Sequence, residues 1–430
     1  MSNRYLWMAL LLLGCATTYK ISEKEVERII TVLSSDEMGG RSLGSEGIEK
    51  AANFIANEFA SAGLSEFAGS KNFKQHFNIN STSVEFSKMK INSQLIANSS
   101  YFAKITGEGI SWDEENRPEI LFVKEGDDFR QALGGAFSSD KDLLVMISEK
   151  HKAMFDRYYS YFSKPTMGFD DMDKQVANLV FVLSNIEEVT TLEVEAVLST
   201  KEQELTNVVG VIEGNRLNEM VVYSSHYDHL GIGTPVDGDS IYNGANDDAS
   251  GVTAVIELAR YFKNQPKPER TLVFVAFTAE EVGGFGSQYF SKQLNPDEIV
   301  AMLNIEMIGK ESQEGLNSAW MTGWDKSNLG ELLQTNLSKV DFKFFADPYP
   351  NQQLFYRSDN ATLAKLGVPA HSISTTQIDI DKDYHQVSDD IGTLDITNIT
   401  NTIKAIAIGS QAIVDGTQTP TRVDPNEVKR

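Results

Sequence analysis

Cysteine is almost absent: Cys15 is the single one in 430 residues. No intrachain disulfide can form, so a folded state must rest on a buried core. Positive charge is short as well. Lys and Arg number 38 against 61 Asp and Glu, a formal net charge of −23, which would repel a phosphate backbone and excludes nucleic acid as an expected partner. No apolar run approaches the roughly 20 residues that cross a bilayer. The run near the start, residues 5–13, is far too short. No segment repeats, so repeat architectures are not expected.

What is present is enough apolar material for more than one core: 41% hydrophobic and 10% aromatic residues over a length that exceeds one ordinary domain. Short apolar runs at 220–223, 271–278 and 300–305 read as buried strands. Polar residues follow each of them: His226, Asp228 and His229 after the first, Ala279-Glu280-Glu281 after the second, Glu306 after the third. In open α/β sheets the carboxyl ends of strands are where ligands sit. Residues 244–251 (GANDDASG) set two adjacent carboxylates among small residues just before a helix, and 383–390 (DYHQVSDD) bring another histidine. Residues i and i+2 of an extended segment share a face, so Asp228 could orient His226 on a metal. A lone His-x-Asp is more often an ordinary hydrogen-bonded pair; several segments each delivering a ligand type point to a metal instead.

His226-Tyr227-Asp228, residues 244–251, Ala279-Glu280-Glu281, Asn304-Ile305-Glu306-Met307 and Tyr384-His385 together resemble the ordered motif set of the two-zinc metallo-aminopeptidases. That family includes secreted bacterial leucyl aminopeptidases and glutamate carboxypeptidases, with glutaminyl cyclases as relatives. The resemblance spans about residues 207–395 and implies His226 and Glu306 on one zinc, Glu281 and His385 on the other, and Asp247 bridging. It also implies Glu280 as general base, Asp228 as the group orienting His226, Tyr384 as an oxyanion donor and Arg357 as a substrate-holding residue. The chemistry is consistent. Zinc takes imidazole nitrogen and carboxylate oxygen and keeps a position for water in catalytic sites. Paired ions about 3.5 to 4 Å apart need a shared ligand, which a short carboxylate supplies. Glu280 could take a proton from the acidified water and pass it to the leaving amine.

Two departures stand out. Relatives usually carry aspartate where this chain has Glu306, so the first zinc site is expected to be retained but looser. Asn360 stands where relatives often show histidine. The expected activity is release of N-terminal residues from peptides. Carboxypeptidase action is the alternative within the family; a glutaminyl cyclase and a noncatalytic, membrane-anchored binding protein are remoter ones.

The start of the chain, residues 1–15, resembles a bacterial lipoprotein signal, in which cleavage before Cys15 leaves that cysteine to be lipidated. That implies an anchored protein of the cell envelope, on an outer membrane or cell surface and facing the periplasm in a two-membrane host. Residues 21–82 form the first part of the catalytic domain. Ser22 to Glu25 is a capping box, and Gly63 ends a second helix begun near Ser45. Residues 35–41 (SDEMGGR) are architectural. Residues 83–200 read as a smaller β-rich insertion, 201–415 as the zinc peptidase domain and 416–430 as a flexible tail. His76 and His151 are taken as non-ligands, and His371 as buried. The fold class expected is α/β, a three-layer sandwich whose mixed, largely parallel sheet is flanked by helices.

Overall fold

The structure is a computed structural model and describes residues 19–169 and 177–428. Cys15 and the signal-like segment lie outside the described residues. The chain divides into two compact units, one built from the residues up to His76 together with Leu205–Arg430, the other Phe77–Glu204.

The larger unit is organised by its sheet. Its strands run in the order Lys343–Ala346, Ser318–Met321, Ala370–Ser374, Ile299–Ile305, Arg216–His226, Arg270–Phe277 and then the end of Leu192–Ile212. The four from Ala370–Ser374 to Arg270–Phe277 are mutually parallel; Ser318–Met321 and the Leu192–Ile212 strand join them antiparallel. These strands read as unbroken apolar runs because both faces are covered. Val221, Tyr223, Leu272, Phe274 and Leu303 pack with the helices Glu23–Leu33, Glu46–Ala62, Ser250–Lys263 and Ile396–Val414. The alternate residues Val222, Val273, Val275 and Met302 pack on the other face with Phe290 and Leu363 from the helices Phe285–Lys292 and Asn360–Ala364. A period of two thus divides each strand between two helical layers, and the three-layer sandwich expected from the sequence is the fold observed.

Local signals set the helix ends. Ser22 accepts a hydrogen bond from the Glu25 amide, Ser45 does the same for Ile48, and Gly63 closes the second helix in the left-handed conformation. The expected flexible tail is corrected. Val423 and Val428 are buried in the second core, and the Arg270 guanidinium donates to the carbonyls of Ile413 and Gln418. Two apolar anchors and a buried arginine are sufficient to hold the segment down.

The smaller unit has a four-stranded sheet in the order Tyr101–Lys104, Leu179–Leu183, Leu143–Ile147, Glu119–Val123, the last three parallel. Helices Phe129–Phe137 and Lys152–Phe162 also belong to this unit. The aromatic run 158–162 lies mostly on the second of them, where Phe162 stacks on Phe102 at 5.4 Å.

Candidate metal centre

The parallel strands end on one edge, and the expected site residues sit there. His226 is the last residue of its strand, Glu280 and Glu281 follow Phe277 closely, and Glu306 follows Ile305 directly. Asp247 comes from the turn before the Ser250–Lys263 helix. His385 comes from a loop without regular structure between residues 375 and 390.

These side chains meet around Asp247. Its Oδ1 lies 3.1 Å from His226 Nε2 and its Oδ2 lies 3.2 Å from His385 Nε2. The same His385 nitrogen is 3.2 Å from Glu281 Oε2. Ligand atoms of His226, Asp247 and Glu281 all lie within 4.8 Å of one another. Glu306, directly after its strand, lines the same cavity as Asp247, Glu280, Arg357, Tyr384 and His385.

Three backbone features hold the cluster. Gly244 is left-handed (φ 57°), and a Cβ there would lie 2.2 Å from Asp247 O and 2.6 Å from the His229 ring. Ala279, Met307 and His385, each next to or part of the site, also have positive φ, at 61°, 54° and 57°. Non-glycine residues rarely adopt this conformation, and it collects where a structure fixes functional side chains. Asp248, the second of the adjacent carboxylates, turns away, joined to Asp247 by a cis peptide bond. It accepts the amides of Gly251 and Met307 at 3.0 Å each, bracing the Asp247 turn against the strand end that carries Glu306.

Asp228 acts differently from the expectation. Its carboxylate is 3.9 Å from His226 Nδ1, too far for a hydrogen bond; the imidazole instead lies 3.2 Å from the Asp228 carbonyl. The carboxylate accepts the amides of Glu280 and Glu281, at 3.1 and 3.3 Å. Asp228 thus orients His226 through its main chain and the two glutamates through its side chain.

Several residues without an assigned role also belong here. His229 Nδ1 is 2.7 Å from Glu281 Oε1; its place three residues after His226, on the loop leaving the strand, was the available signal. Arg41 is 1% exposed, and its guanidinium donates to carbonyls of Leu33, Tyr227, Asn243 and Gly244, tying both ligand loops to the amino-terminal segment. Asp389 accepts the amides of Asn246 and Asp247. Asp359 is buried with neither carboxylate oxygen hydrogen-bonded. Neither Arg41 nor Asp389 has a periodic pattern that would have exposed it. Asn360 is structural: its amide donates to Phe355 O and Ala370 O and its oxygen accepts from Ser372. His371 is buried, bonded to Thr322 O and Ser327, and takes no part in the cluster.

The electrostatics favour a cation. Burial pushes the Glu280 carboxyl well above its ordinary range, with the charges of Glu306 and Asp359 adding to it against His226. Burial also raises Asp359, to about 7, and Glu306. Burial alone would favour a neutral His226, but Asp247 and Glu280 hold its pKa well above the usual value. So many carboxylates in a confined site are costly without a compensating charge. The donor set, imidazole nitrogens and carboxylate oxygens, is the one zinc takes. The buried Nε2 of His226 has no hydrogen-bond partner, despite the Asp247 oxygen beside it. The residues fit a metal.

Comparison with known proteins agrees with this geometry. Residues 207–408 match the model described as Peptidase family M28. That match takes in every expected metal-ligating residue from His226 to His385. Among curated proteins, the chain is 35% identical over 113 residues to a "Probable zinc metalloprotease" of Pyrenophora teres f. teres, 26% of this chain and 24% of that protein. It is 28% identical over 149 residues to "Aminopeptidase YwaD" of Bacillus subtilis, 33% of this chain and 28% of that protein. The match therefore spans about a quarter of the length of these relatives. Among solved structures, an aminopeptidase from Aneurinibacillus sp. strain AM-1 has a TM-score of 0.56 at 18% identity, covering 92% of this chain and 95% of that one. BSAP, a zinc aminopeptidase from Bacillus subtilis, has a TM-score of 0.58 at 18% identity over 92% and 95%. At this identity the structural likeness speaks for the fold alone.

Proposed function

We propose that this chain is a zinc-dependent aminopeptidase that hydrolyses the first peptide bond of short peptides. The observation that carries the reading is the split of the Asp247 carboxylate, one oxygen toward His226 and the other toward His385 and Glu281. A carboxylate shared in this way suits a bridging ligand between two zinc ions, His226 and Glu306 holding one and Glu281 and His385 the other. Bound there, zinc would supply Lewis acidity and a more acidic water.

The protein groups then divide the remaining work. Glu280 is held at its amide by Asp228, faces the cavity, and prefers the protonated form more than an ordinary glutamate does, first because it is buried. Such a group takes a proton from water and returns it to the leaving amine at neutral pH. Tyr384 stacks on His385 with ring centroids 4.0 Å apart. Burial, then the charges of Asp247 and Glu281, keep its hydroxyl protonated, so it donates a hydrogen bond to the oxyanion as charge develops. Arg357 lines the cavity and holds substrate. Glu306, one methylene longer than the usual aspartate, makes its zinc the more weakly held. The proposed setting is the cell envelope, with Cys15 lipidated; Cys15→Ser is expected to release soluble or unprocessed protein, and unchanged membrane fractionation would refute the anchor.

Aminoacyl and C-terminal reporter peptides, assayed with and without chelator, test the activity. Chelator-sensitive release from the aminoacyl substrates is expected. Cleavage confined to the C-terminal reporters would make the chain a carboxypeptidase, and hydrolysis indifferent to chelator would remove the metal from the account.

A further inference from the structure

The residues that complete the centre on the His385 side have no strand beneath them. Tyr384, His385 and Asp389 all stand on the loop that leaves the Ala370–Ser374 strand, and the His385 side chain is 35% exposed. Charged bonds hold that loop. Lys310 Nζ lies 2.6 Å from Asp381 Oδ1 and 2.6 Å from Asp383 Oδ2. Asp381 also accepts the Asp383 amide, and Asp383 accepts the Ser388 hydroxyl. With side chains 18% and 3% exposed, Lys310 and Asp381 are withdrawn from the solvent that weakens surface ion pairs. Lys310 comes four residues after Glu306, and its carbonyl accepts from Asn398 on the last helix, so its main chain is anchored to the body of the fold.

We infer that Lys310 is a positioning residue that fixes the loop bearing Tyr384 and His385 against the strand end bearing Glu306, and so couples the two halves of the metal centre. The inference rests on the metallopeptidase reading. A carboxylate or imidazole ligand binds well only where its supporting contacts hold its orientation. Lys310 supports His385 through the Asp381–Asp383 turn, and it reaches Asp247 through Asp389, which lies further along the same loop and holds the Asp247 amide. Loss of the clamp frees the loop side, while His226 keeps its strand.

The test compares full-length wild type, Lys310→Met and Lys310→Arg by zinc content, by kcat and KM on an aminoacyl reporter, and by thermal unfolding of the chelator-treated proteins. The methionine variant is expected to bind its second zinc roughly 10- to 100-fold more weakly. Its kcat should fall in step, with KM little changed, and recover when zinc is added in excess. Arginine should restore most of the loss. The double variant Asp381→Asn with Asp383→Asn attacks the same clamp from the loop and should reproduce the effect, which covers a methionine variant that folds poorly. Wild-type zinc affinity and kcat in the double variant, or a loss that excess zinc does not reverse, would overturn the inference. A wild type that neither binds zinc nor hydrolyses the reporter would instead sink the underlying reading.

Discussion

His226 and His385 approach different oxygens of Asp247 at nearly equal distances, 3.1 and 3.2 Å, yet they reach it from unlike structures. His226 ends a strand that pairs with parallel neighbours on both sides, and it is 1% exposed. His385 sits in an irregular loop, has a left-handed backbone and is about a third exposed. On the strand side, packing that the protein needs anyway fixes the ligand. On the loop side, position depends on polar contacts with no other structural duty: Lys310 with its two aspartates, His229 on Glu281, and Asp389 on the Asp247 amide. The first kind of support should fail together with the fold, the second without it.

The largest effect should come from the proposed proton shuttle. Glu280→Gln is expected to lower kcat by roughly 10²- to 10⁴-fold while zinc content stays at the wild-type level; retained hydrolysis would move the proton transfer elsewhere. Ligand deletion should then separate the two sides. His226→Ala and His385→Ala are each expected to lose one zinc, but only His226→Ala should also lower the melting temperature of the chelator-treated protein, because it leaves a buried cavity. Equal melting temperatures would erase the distinction between strand and loop. A smaller effect belongs to His229→Gln, which removes the hydrogen bond to Glu281. Zinc affinity on the His385 side should fall by roughly 10- to 100-fold, read by competition with a chelating dye.

The effect furthest from activity concerns a strand histidine outside the centre. Burial lowers the pKa of His371 from 6.5 to about 4, so the unfolded chain binds its proton first. Its contribution is complete above pH 6.5 and is lost as pH falls toward 4, on the order of 3 kcal/mol. His371→Gln should flatten the stability profile across that window without changing zinc content. An unaltered slope would remove His371 as its source.

The same contrast explains what could be read from the chain. His226, Glu280, Glu281 and Glu306 were legible because each closes an apolar run, and strand ends on a parallel sheet are where ligands gather. The Ser22 and Ser45 caps and Gly63 were legible for a similarly local reason. His385 and Tyr384 were identified by family resemblance, since nothing periodic precedes them. Lys310, Arg41 and Asp389 were not legible, because they act across long gaps in sequence, Arg41 on carbonyls some 200 residues away. Asp228 was found but given the wrong contact: two-residue spacing puts side chains on one face of an ideal strand, and this strand has already ended at His226. The flexible reading of residues 416–430 fails because Val423 and Val428 are anchors too sparse to form a pattern.

The central claim is that Asp247 stands between two cations. Elemental analysis of the purified full-length protein, before and after chelation and zinc reconstitution, tests it most directly. The account predicts two zinc ions per chain, with hydrolysis lost and regained alongside them; one ion or none in the active protein would contradict it.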